Sequence, residues 1–171
     1  MKSARRRSRE FAVQALYQWQ LAGQSLADIE QQYAQAEGFA KADSDLFSVI
    51  LSGVLKDAET LKEKLAPHLD RPWNEVSPIE SAILLIGAFE LANLPETPYR
   101  VIINEAIELA KSFGGTDGHK YVNGILDKFA AITRDNEIVV YKADASVPKR
   151  AEKTAVVKVT SKTRRVVKTA D

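Results

Sequence analysis

The chain has no cysteine. That excludes disulfides, thiolate nucleophiles and thiolate-held metal centres. Its two histidines, His68 and His119, are too few for an all-histidine metal site. No apolar run approaches the ~20 residues that cross a bilayer, and the basic N-terminus lacks the apolar stretch of a secretory signal. These absences point to a cytoplasmic protein with no membrane association. Gly114–Lys120 (GGTDGHK) contains the residues of a phosphate loop but not its spacing, and G-x-G-x-x-G, G-x-S-x-G and H-E-x-x-H do not occur. Acid pairs such as Asp43/Asp45 read as solvated helix faces. The sequence therefore predicts no enzyme and no cofactor.

What is present is helical periodicity. With 45% hydrophobic residues in 171, the chain can bury the core of one domain and still carry a tail. Over about Ser3–Leu21, Phe11, Ala12, Ala15, Leu16 and Trp19 cluster on one face at 100° per residue, and Gly23 ends the helix. A weaker helix follows over about Leu26–Ala36, then a long one from Asp43 or Ser44 to about Ala66, stopped by Pro67. A short turn around Arg71–Glu75 carries Trp73. Ser77-Pro78-Ile79-Glu80 is the clearest helix start: serine caps, proline takes the first position and glutamate can reach back. That helix runs to about Ala92 on Ile79, Ile83, Ile86 and Leu91. In Pro98–Phe129, two amphipathic helices flank a Gly114-Gly115 hinge, and Asn104 and Glu105 interrupt an apolar run as polar ties between helices. The spacing predicts an all-α, compact bundle of about seven helices.

After about Ile132 the pattern fades. Asn136–Tyr141 (NEIVVY) reads as a strand without a partner, and from about Asp144 the chain reads as disordered. The expected division is a helical domain over 1–134 and a basic tail over 135–171. The net charge of +1 hides an asymmetry. From Ala145 onward there are eight positive and two negative residues, a net of +6 that leaves −5 for residues 1–144. Such a concentrated basic end suggests a local polyanion contact.

Lys2, Arg5, Arg6, Arg7 and Arg9 crowd the first helix, so their spacing is fixed, with Gln14 and Tyr17 beside them. Arg6 and Tyr17 are almost three whole turns apart and share one line. Guanidinium groups hold phosphates in two-pronged contacts, and an exposed aromatic stacks on an unpaired base. Asp117 reads first as the cap of the last helix, whose free N–H groups, together with Lys120 and Tyr121, could meet a phosphate and a base.

PYRVIINEAIELAKSFGGTDGHKYVNGILDKF closely resembles the signature of the NusB family of transcription antitermination factors. RRRSREFAVQALYQWQL is similar to that family's first helix and SPIESAILLIGAFEL to its central one, so the resemblance covers roughly residues 3–132. It implies two small helical subdomains and no catalysis. It also implies binding of the boxA element of ribosomal RNA leader transcripts together with NusE, a small-subunit ribosomal protein, and entry into the elongating RNA polymerase complex. Family RNA-contacting positions match Lys2, Arg5, Arg6, Arg9, Gln14, Tyr17, Asp117, Lys120 and Tyr121; the spacing argument adds Arg7. Glu75 and Glu80 resemble the partner-protein surface. Tyr121 stands where phenylalanine is common, Gly118 where serine is common, and Leu85 where arginine is usual. Two rival readings are a helical protein–protein adaptor without RNA, and a domain of an RNA methyltransferase, for which nothing after residue 132 leaves room.

Overall fold

Short polar side chains set the helix starts. In the computed structural model, which describes residues 1–146, Ser3 opens α1 (Ala4–Ala22) by accepting the Arg6 N–H at 3.1 Å. Ser25 opens α2 (Leu26–Ala34), Asp43 opens α3 (Ser44–Leu65), and Ser77, followed by Pro78, opens α4 (Pro78–Asn93). Gly23 ends α1 in the left-handed region at φ 64, with its N–H on the Trp19 carbonyl. The sequence pair follows as α5 (Tyr99–Phe113) and α6 (Gly118–Thr133), and α7 (Asp135–Ser146) closes the described chain. Three short 3₁₀ turns lie between, at Phe39–Lys41, Ala66–His68 and Trp73–Glu75, and Pro67 falls inside the second. Among the described residues there are seven α-helices and no strand.

The sequence predicts a one-sided apolar stripe on α4. Instead every residue from Ser81 to Leu91 is buried. A helix apolar all round needs cover on all sides, and α4 has it. It packs on α1 and α3, and also on α5 and α6, which makes it the element shared by two three-helix groups. Leu85, where the resemblance has arginine, is fully buried. Two glycines permit close approach. A Cβ at Gly87 would lie 2.6 Å from Leu126 Cδ1, and one at Gly53 would run into the Phe89 ring.

The direction of the helices matters for the site. Arg9 near the start of α1 meets Glu90 near the end of α4, while Gln20 near the end of α1 meets the Pro78 carbonyl and the Ser81 hydroxyl at the start of α4. So α1 and α4 are antiparallel. The turn at 94–98 reverses the chain into α5, whose far end leads to Gly118, against Glu80 at the start of α4. Hence α1 and α5 run the same way.

Past Arg134 the structure departs from expectation. Asn136–Tyr141 is part of α7, not a strand, and the helix continues through Asp144 to Ser146. The cause lies in two charged side chains. Arg134, 8% exposed, donates to the carbonyls of Glu90, Leu91, Leu94 and Thr97, so its guanidinium ties the end of α4 to the turn that follows. Glu137 accepts from Arg134 at 2.7 Å and from the Tyr99 N–H at 2.8 Å. The second bond caps α5, whose own cap residue, Pro98, offers no side-chain acceptor. Ile138 adds an apolar contact to the core. The expectation of a disordered tail over 135–171 is thus corrected for residues 135–146, which form α7; the rest of that tail, residues 147–171, lies outside the described residues.

Candidate nucleic-acid interface

The five basic residues at the start of α1 divide by what each meets. Lys2 is exposed and pairs with Glu10 at 2.7 Å. Arg5, half exposed, donates to the Thr97 hydroxyl at 3.3 Å and lies 3.9 Å from Asp43. Arg6 grips Glu105 with two hydrogen bonds of 2.9 and 3.0 Å, and that carboxylate, by hydrogen bond and by charge, raises the arginine's pKa further. Arg7 is half-buried and makes no ion pair among the described residues. Arg9 is different. It is 2% exposed and forms a two-pronged pair with Glu90, 1% exposed, at 2.7 and 2.9 Å. The expectation that Arg9 holds an RNA phosphate is corrected: its guanidinium is spent inside the protein. The helical wheel carries the reason, because Arg9 and Leu16 are seven residues apart and share the buried face.

Glu105 ties α1 to α5, as its place in an apolar run suggests. Asn104 does not fit that reading. It is exposed and lines a small polar hollow with Arg100, Asn123 and Asp127.

Further along α1, Gln14 is exposed and returns to the Glu10 carbonyl, while Tyr17 is 38% exposed. Because α1 and α5 are parallel and joined at Arg6–Glu105, both chains advance roughly 16 Å between that pair and the level of Tyr17 and the α5–α6 hinge. The arginines therefore stand at one end of a strip, with Tyr17 and the start of α6 at the other.

At that start Asp117 occupies the cap position, with φ −111 and ψ 9, but its side chain caps nothing. It faces Lys120 at 3.3 Å, both side chains about three-quarters exposed. The predicted capping role is thus not what holds Asp117 here. Tyr121 is half-buried, and the Arg71 guanidinium lies 4.5 Å above its ring, an aromatic–cation contact that covers one face. Its hydroxyl is buried without a hydrogen-bond partner. Burial, then the charge of nearby Asp70, raises its pKa. Arg71 in turn holds the Asp70 carboxyl below its usual value. The Asp70–Arg71 partnership with Tyr121 is missed by sequence reasoning, since no local spacing links residues fifty apart.

The partner-surface candidates separate. Glu75 is exposed at the end of a 3₁₀ turn. Glu80 gives its N–H to the Ser77 hydroxyl at 3.2 Å, but its carboxylate points to α6, where a Cβ on Gly118 would lie 2.9 Å from Oε1. Glycine at 118 keeps that approach open. Beside these acids, a groove of about 510 Å³ between the end of α1 and the start of α4 is lined by Trp19, Leu21, Trp73, Val76 and Pro78.

Cations, an exposed aromatic and free helix-start N–H groups can bind anions and stack on planar rings. Among the described residues no cluster of three metal-ligating side chains exists, and none of their helices is long and apolar enough to cross a membrane. The geometry is that of an all-helical binding protein.

Comparison with known proteins gives that class a family. The sequence profile of the NusB family matches residues 6–131. The transcription antitermination protein NusB of Dechloromonas aromatica is 59% identical over 141 residues, covering 82% of this chain and 86% of that protein. Its counterpart in Paraburkholderia xenovorans is 56% identical over 137 residues, covering 80% and 95%. Among solved structures, T. maritima NusB superposes with a TM-score of 0.70 at 27% identity, covering 81% of this chain and 99% of that one. A structure of antitermination factors NusB and NusE in complex with double-stranded RNA superposes at 0.63 and 18% identity, a likeness of fold. The chain belongs to the NusB family of transcription antitermination proteins. Its role is regulatory rather than catalytic.

Proposed function

We propose that this chain binds the boxA element of ribosomal RNA leader transcripts together with the ribosomal protein NusE, in the cytoplasm, and enters the elongating RNA polymerase complex. The helical domain over residues 1–134 would carry this activity. The observation that carries the reading is the strip itself. Lys2, Arg5, Arg6 and Arg7 lie at one end of α1, and Gln14 and Tyr17 follow toward Asp117, Lys120 and Tyr121 at the start of α6. In this arrangement Arg7 and Lys120 contact phosphates and Tyr17 stacks on a base, while Arg6, pinned by Glu105, presents its remaining donors. The solved complex of NusB and NusE with RNA supports the partners by likeness of fold. The groove of Trp19 and Trp73 beside Glu75 and Glu80 is the surface assigned to the protein partner.

The test is a gel shift with boxA RNA, with and without NusE, on the full chain and on Arg7→Ala, Tyr17→Ala and Lys120→Ala. Loss of a stacking ring costs about 1–3 kcal/mol, so Tyr17→Ala should weaken binding on the order of five- to a hundredfold. Wild-type affinity in all three variants would refute the site. NusE binding with no RNA shift at all would favour a protein–protein adaptor.

A further inference from the structure

Resting on the RNA-binding reading above, we infer that the basic segment after α7 is a second, electrostatic RNA-binding arm, which the shared family fold does not contain. Two observations carry this. The first is where the segment starts. Thr97 takes the side chain of Arg5 on its hydroxyl at 3.3 Å and that of Arg134 on its carbonyl at 3.1 Å, so the start of α1 and the α6–α7 junction meet at one residue. From there α7 is locked across the beginning of α5. Glu137 holds the Tyr99 N–H, the Tyr141 ring meets Tyr99 edge-on at 6.4 Å, and Arg100 lies 4.2 Å over Tyr141. Ser146, the last described residue, follows Tyr141 by little more than one helical turn. The described chain therefore stops at the end of the body that carries Arg5, Arg6 and Arg7.

The second observation is charge. The 25 residues 147–171 hold eight cations and two anions, and the remaining 146 sum to −5. The family match stops at residue 131, well before this segment. A chain of that length reaches at most ~80 Å, several times the roughly 16 Å between Arg6 and the level of Tyr17. RNA is favoured over the protein's own acidic surface as the occupant. A strand's phosphates are closely spaced and release condensed counterions when neutralised, whereas the end of the body nearest the segment carries the cations Lys2, Arg5, Arg6 and Arg7. The cations are not interleaved with aromatic rings, so the arm adds affinity without reading sequence.

The experiment compares the full chain, a chain ending at Ser146, and a full-length variant with all eight tail cations changed to Gln. Each is titrated by filter binding with boxA RNA and a scrambled RNA of equal length, from about 50 to 400 mM salt. Each engaged cation contributes about 0.7 to the slope of log affinity against log salt on single strands. Both altered chains should lose about 3 to 5 from that slope. At low salt they should lose on the order of tenfold or more in affinity for both RNAs equally. An unchanged slope would overturn the inference. So would tighter binding after truncation, which would mean the segment lies on its own acidic body, and so would a loss confined to boxA. If the full chain binds neither RNA even with NusE, the functional reading above fails and the arm falls with it; if it binds and only the slope test fails, the arm alone is wrong.

Discussion

A single hydroxyl separates what Tyr121 gains from what it costs. Its ring fills space beneath Arg71, but its oxygen is buried with no partner, and an unsatisfied buried polar atom costs about 1–3 kcal/mol. Tyr121→Phe keeps the ring and removes the orphan, so it should raise stability by about 1 kcal/mol in denaturant unfolding while leaving RNA affinity within about twofold. Alkali should show the same hydroxyl from the other side. Burial raises the folded-state pKa of both Tyr121 and Tyr33. The unfolded chain then gives up these protons first, near pH 10. The stability they contribute is complete below that pH and lost as pH rises through the folded values. The wild-type protein should lose stability more steeply above pH 10 than Tyr121→Phe; identical alkaline limbs would contradict this. Legibility at this scale follows partners. Tyr17 could be read because its helix places it on an exposed line. Arg9 was misread because its partner Glu90 lies on another helix.

Helix starts give the contrast at the next scale. Ser77 and Asp117 look equivalent in sequence, each a capping residue before a helix. Ser77 caps α4 through a 3.2 Å bond from the Glu80 N–H, whereas Asp117 makes no such bond and faces Lys120 instead. Loss of a cap costs about 1 kcal/mol, so Ser77→Ala should destabilise by about that much in urea unfolding. Asp117→Ala should stay within about 0.5 kcal/mol, because an exposed pair contributes little. Equal losses would show that Asp117 caps α6 in solution. Six of the seven helices were legible because periodicity and caps are local signals. α7 was not, since its apolar residues Val139, Val140 and Tyr141 remain largely exposed. What fixes it is Glu137 binding Tyr99 and Arg134 binding the end of α4, and neither contact has a signature in local sequence.

Across the whole molecule, α4 is the common wall of two helical groups, and the pair Arg9–Glu90 crosses from that wall to α1. Both side chains are almost completely enclosed, at 3% and 1% exposure. Removing one partner of a buried pair strands the other charge and costs about 3–5 kcal/mol. Arg9→Ala should therefore lower stability by about that amount in guanidinium unfolding, far more than Arg7→Ala, which makes no ion pair among the described residues. A loss below 1 kcal/mol would return Arg9 to the list of surface contacts.

Arg134 has a consequence for the order in which the fold can close. It adds side-chain donors to the carbonyls that end α4, yet it follows them by some forty residues in the chain. During synthesis, which runs from the N-terminus, α1 to α4 and the turn after them are complete while the Glu90 and Leu94 carbonyls have only the N–H groups of Leu94 and Thr97 as donors. The guanidinium is added to them only when α5 and α6 have been made. The same residue then positions Glu137 over the start of α5. A nascent chain short of Arg134 thus has all six preceding helices but lacks the side-chain ties at the end of α4 and the start of α5.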